Sequence, residues 1–98
     1  MKSRSSRTQE AAESLAIQAL TFLANDSERL AGFLAATGLT PEAIRESASH
    51  SDFLVGVLEH MLADESLLIA FADSAAINPA EIARAHGTLG GRWERDLP

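Results

Sequence analysis

The chain has 98 residues, a net charge of -6, no cysteine, and 46% hydrophobic residues with few aromatics. That length makes one small domain with a modest core. The missing cysteine excludes disulfides, thiolate metal sites and a thiol nucleophile. Ala and Leu dominate, which favours helices over strands. Lys2, Arg4 and Arg7 sit at the start, so from Ala11 onward five basic residues face thirteen acidic ones, a balance of -8. Such a surface repels phosphate backbones and anionic membranes.

Residues Met1–Arg7 are small, polar and charged with nothing to bury, and predict a disordered basic tail (1–7). No apolar stretch follows them, unlike a secretory signal. Thr8 is a candidate N-cap for a first helix, on which Ala12, Leu15, Ala16, Ala19, Phe22 and Leu23 follow helical spacing and Ile17 and Leu20 widen the stripe. Asn25-Asp26-Ser27 interrupts it, and Asp26 caps a second helix carrying Leu30, Phe33 and Leu34 up to Gly38, where a left-handed residue is expected. Thr40-Pro41 opens a short third helix with Ile44 inward.

Ser51 or Asp52 starts a fourth helix, with Leu54, Val57, Leu58 and Met61 on its main face. Asp64 starts a fifth, through Leu68, Phe71, Ala72 and Ala75. Asn78-Pro79-Ala80-Glu81 opens the sixth with capping-box spacing, and Gly87 or the Gly90-Gly91 pair ends it. No segment alternates with period two, and the apolar runs Phe53–Leu58 and Leu67–Ala72 fall far short of the ~20 residues of a membrane span.

A displacement of 38 residues superimposes Leu20 on Leu58, Asp26 on Asp64, Leu30 on Leu68, Phe33 on Phe71, Pro41 on Pro79 and Ile44 on Ile82. A fixed period of this size points to one supersecondary unit used twice. The expected architecture is an all-α compact bundle of five to six short helices in two pseudo-repeated three-helix units. The helical domain would span 8–91, its units roughly 12–49 and 50–87, with a C-terminal tail at 92–98. Helices four and five are apolar nearly all round, which places them at the centre.

The stretch Ala12–Ala24, the run Phe53–Leu58 followed by Asp64-Glu65, and the ending Trp93-Glu94-Arg95-Asp96 resemble a small family of uncharacterised alphaproteobacterial proteins, a domain of unknown function. The similarity covers nearly all of the chain after the tail. It implies a small all-helical bacterial protein and supplies no activity or site.

The residues themselves offer little chemistry. Leu34–Arg45 has the pattern of a helix-turn-helix, blurred again at Ala75–Ile82, but the helix opened by Pro41 exposes Glu42, Arg45, Glu46 and Ser47, which sum to -1. DNA affinity comes largely from neutralised phosphates, so nucleic acid is disfavoured as a partner. Asp26 and Asp64 occupy equivalent places, and helix capping explains both without catalysis. His60 and Asp64 are four apart, yet Asp64 is committed to starting helix five, and no metal site is assigned. Gly32 and Gly56 lie inside helices, where tight helix crossing would compensate their cost.

We therefore expect no enzyme activity, cofactor or membrane span, and a cytoplasmic protein. Its function is read as a non-enzymatic protein–protein interaction module, engaging an unidentified protein or a second copy. The alternative is a helix-turn-helix-like nucleic-acid-associated regulator. The candidate contact residues are Leu67 and Ile69, which replace Arg29 and Ala31 of the first unit, together with Trp93 and Arg95. Trp beside Arg is typical of binding hot spots. Trp93 either folds back into a groove of its own domain or inserts into another protein.

Overall fold

The computed structural model describes the backbone of residues 2–48 and 50–95, and the side chains of 7–48 and 50–90. Six helices follow in order: α1 (Lys2–Ala24), α2 (Ser27–Thr37), α3 (Pro41–Ser47), α4 (Ser51–Leu62), α5 (Glu65–Ala75) and α6 (Pro79–Arg95). No strand occurs among the described residues. The protein is a small all-α bundle.

The helix stops are local chemistry. Asp26 adopts extended backbone (φ -131°, ψ 115°), and its carboxylate accepts from the Glu28 and Arg29 amides at 2.9 and 3.2 Å. Asp64 does the same for α5, accepting from the Leu67 amide at 3.2 Å. Each thereby satisfies donors that the first turn of a helix leaves orphaned. Thr40 caps α3 through the Ala43 amide at 3.1 Å, with Pro41 at the first helical position. Gly38 ends α2 in the left-handed region (φ 74°), its amide donating to the Leu34 carbonyl at 2.7 Å. Ala76 ends α5 in the same region (φ 58°, ψ 43°). Around it the Ile77 amide reaches the Ala72 carbonyl at 2.9 Å and the Ala76 amide the Asp73 carbonyl at 3.2 Å. That is a Schellman closure built on an alanine.

These boundaries recur at the 38-residue displacement. α2 and α5 coincide at both ends, α1 and α4 share their last residue, and α3 and α6 share their first. Burial follows the same register, with Leu23 and Met61 sealed and Phe33 and Phe71 nearly so.

The structure departs from expectation at several places. α1 begins at Lys2, so its helical backbone includes 2–7, where composition predicts a disordered tail. No Gly or Pro interrupts the sequence before Gly32, and an established helix adds residues cheaply. α6 does not stop at Gly87 or Gly90-Gly91 but runs on to Arg95, so 92–95 are not a separate tail. A helix-interior Gly costs only about 1 kcal/mol relative to Ala, and Ile82, Ala85 and Leu89, all buried on α6, outweigh it. α4 starts at Ser51, as expected, and His50 before it makes no side-chain cap bond.

A further departure concerns the centre. α1, α4 and α6 pack on one another as the principal trio, while α2 leans on α1 and α5 on α4 and α6. α4 is central as expected; α5 is not. Its place is taken by α1, whose buried face is Ala12, Ala16, Ala19 and Leu23. Small side chains let helix axes approach closely, so a face poor in bulk can still be fully enclosed. Phe33 from α2 closes one side, meeting the Phe53 ring edge-on at 6.1 Å and the His60 ring at 5.1 Å. Gly32 and Gly56 do not serve close crossings, since a Cβ on either would meet nothing within 4 Å.

Candidate interaction surface

A helix that buries one face presents the other to solvent. On α1 the outward residues are mostly polar, Glu13, Ser14, Gln18 and Thr21 among them, but Ile17 stands in their midst and is 46% exposed. Beside it a cleft of about 550 Å³ runs between α1 and the end of α5. Phe22, Phe71 and Ala75 form its apolar floor with Ile17, and Glu10 and Glu13 stand among its lining. Phe22 and Phe71 pack with ring centroids 5.4 Å apart and planes tilted by 56°. The Arg29 guanidinium lies 4.7 Å from the Phe22 centroid and is held by Asp26 at 3.2 Å.

Two smaller hollows lie elsewhere. One, between α1 and α6, carries Arg7 and Arg84 with Thr8 and Thr88. Arg84 is already paired with Glu81 at 3.1 Å, so Glu81 supplies a partner for Arg84 rather than the second half of a capping box. Asn78 alone makes the expected cap contact, accepting from the Ala80 amide at 2.9 Å. The other hollow borders His60, Asp64 and Leu67. His60 belongs to α4 and meets the Phe33 ring edge-on, whereas Asp64 lies past the end of that helix and caps α5, so the two do not form a ligand pair. No group of three metal-ligating side chains occurs among the described residues. None of the described helices is long and apolar enough to cross a membrane.

The candidate contact residues are scattered. Leu67 is buried at 9% exposure and faces the core one turn before Phe71, so of the pair Leu67 and Ile69 it is Ile69 that reaches the surface. Ile69 is 46% exposed, but it lies outside the α1–α5 cleft, and its neighbours one turn away on α5 include Glu65, Ser66 and Asp73. An apolar residue isolated in this way is ordinary protein surface. Trp93 and Arg95 lie on the last turns of α6, with side chains outside the described residues.

The model of the family described as "Protein of unknown function (DUF3572)" matches residues 9–92. The chain belongs to that family. No curated protein matches it, and no solved structure does. The α1–α5 cleft lies wholly inside the span shared with DUF3572, whereas Trp93 and Arg95 fall just beyond it.

Sequence reasoning missed Ile17 as a surface residue by adding it to the apolar stripe of α1. The helical wheel carried the signal. At 100° per residue Ile17 lies about 130° from the mean direction of Ala12, Ala16, Ala19 and Leu23, well off the buried face, and three of its four neighbours one turn away, Glu13, Ser14 and Thr21, are polar, Leu20 being the fourth. The helix-turn-helix pattern is realised as local geometry at Gly38 and Thr40, but Glu42, Arg45 and Glu46 of α3 face solvent, leaving no basic reading surface there.

Proposed function

We propose that the chain is a non-enzymatic protein–protein interaction module that works through the α1–α5 cleft. The observation that carries this reading is Ile17, half exposed on a polar helix face above a floor of Phe22 and Phe71. Covering the exposed half of an isoleucine is worth about 1 kcal/mol, enough to anchor a contact with neighbouring aromatics. Support for a non-catalytic role comes from the occupation of the side chains that chemistry would need. Asp26 and Asp64 are engaged by helix amides, His60 by an aromatic ring and His86 by Glu59 at 3.2 Å.

The recurrence of helix boundaries every 38 residues supports an origin by duplication of a three-helix block. The resemblance seen in the sequence supports an alphaproteobacterial source.

Affinity capture from native lysate, run in parallel with the wild-type chain and Ile17→Glu, tests the module. A partner retained by the first and lost by the second supports it. Equal retention by both, or none by either, overturns it.

A further inference from the structure

We infer that the α1–α5 cleft takes a basic amphipathic helix from a partner protein. This rests on the interaction-module reading above and adds the chemistry of the occupant. Three observations lead to it.

The first is shape. The α1 side of the cleft runs from Glu10 to Asn25, ~22 Å at 1.5 Å per residue, or about four helical turns. α5 walls it over about one turn, at Phe71, Ser74 and Ala75, so its complement is a helix lying along α1 with apolar anchors at i, i+3/i+4 and i+7. The described residues offer no sheet edge on which an extended peptide could add.

The second is charge. Glu10 and Glu13 are among the lining, and no Lys, Arg or His is. α1 and α5 both bring their C-terminal ends to the cleft, and neither carries a basic residue in its last turn. Each such end contributes roughly half a negative charge from its carbonyls. Arg29, the cation stacked on Phe22, is balanced by Asp26 and lies outside the lining. The charged side chains lining the cleft are thus both acidic, near its start, with the helix ends at the other, and cationic flanks on the occupant answer them.

The third is the poor fit of this chain to its own cleft. At -6, a second copy brings like charge. The basic stretch Lys2–Arg7 contains no apolar residue to meet Ile17, and the apolar-bearing stretch 91–98 sums to zero, Arg92 and Arg95 against Glu94 and Asp96.

The test uses the full chain and two synthetic amphipathic peptides of roughly 16 residues with identical Leu anchors. One carries Lys and Arg on the flanking positions, the other Glu; binding is read by fluorescence anisotropy. The basic peptide is expected to bind at least about tenfold more tightly, with affinity falling as salt rises. Ile17→Glu should weaken it at least about tenfold although it adds a negative charge, which separates apolar anchoring from bulk attraction. Ile69→Glu, equally exposed but outside the cleft, should leave it unchanged. Glu10→Gln with Glu13→Gln should flatten the salt dependence. Circular dichroism melts of the variants confirm that each is folded.

Equal affinity for both peptides, or equal effects of Ile17→Glu and Ile69→Glu, overturns the inference. Self-association in sedimentation that Ile17→Glu abolishes would make the occupant a second copy and likewise overturn it. A lysate partner lost on Ile17→Glu, with neither peptide bound, removes the basic helix and leaves the module standing; with no partner captured either, both fall.

Discussion

Gly38 and Ala76 occupy the same left-handed backbone well at the same place in consecutive helix stops, one with the residue suited to it and one without. Exchanging them should therefore move stability in opposite directions. A left-handed conformation costs an L-residue about 1–2 kcal/mol relative to Gly. Against that, Ala loses less backbone freedom on folding than Gly, worth about 0.4–1 kcal/mol. Packing adds almost nothing: a Cβ at Gly38 meets no atom within 4 Å, and Ala76 is exposed. Gly38→Ala should then destabilise by about 0.5–1 kcal/mol and Ala76→Gly should stabilise by the same amount. For a domain near 100 residues this is a Tm shift of about 2–5 °C, downward for the first and upward for the second. Urea denaturation followed by circular dichroism reads both, and the m-value should not change. A neutral or stabilising Gly38→Ala, or an Ala76→Gly that lowers the midpoint, would refute the conformational argument.

Gly32→Ala should have the opposite sign to Gly38→Ala, raising stability by about 0.5–1 kcal/mol in the same assay, because Gly32 is helical and its added Cβ meets open space. Asp26→Ala should cost about 1–2 kcal/mol and Asp64→Ala about 0.5–1 in chemical denaturation, since Asp26 accepts from two amides and holds Arg29 while Asp64 accepts from one amide; equal losses would show that the second bond contributes nothing. Ala19→Leu should destabilise by about 1–3 kcal/mol through overpacking, as Ala19 is fully enclosed in the α1 face of the central trio, and a calorimetric melt with unchanged Tm would contradict that placement.

What sequence reasoning reached, and what it did not, divides along the range of the interactions. Asp26, Asp64, Thr40-Pro41 and Asn78 act on amides two or three residues away. Their roles were legible because everything they touch is adjacent in the chain. The identity of the central helices was not, because it depends on which faces meet. α5 reads as more apolar than α1, yet the alanine face of α1 is more completely buried. Hydrophobicity measures the drive to leave water; it says nothing about how closely a partner can approach. The glycines of α6 misled for a related reason. Their local penalty was visible, while the distant contacts of Ile82 and Leu89 that override it were not. At the surface, comparing Leu67 with Arg29 and Ile69 with Ala31 across the displacement did not decide which of the two reaches solvent, because residue types carry no orientation. Ile17 was hidden in a stripe drawn too wide, though its angle on the helix was there to be measured.

α3 buries no residue fully, and Ile44 is its half-enclosed link to the core. α6 opens with a proline at the corresponding place and then drives Ile82, Ala85 and Leu89 into the interior. Selection on packing thus grips one of these two segments and barely touches the other. Among descendants of a common ancestor, gained and lost residues should gather between Gly38 and Ser51, where Ile44 alone of α3 is packed against the core. The stretch after Pro79 should stay constant in length through Leu89, since a single added residue would rotate its three anchors by about 100° and turn them out of register.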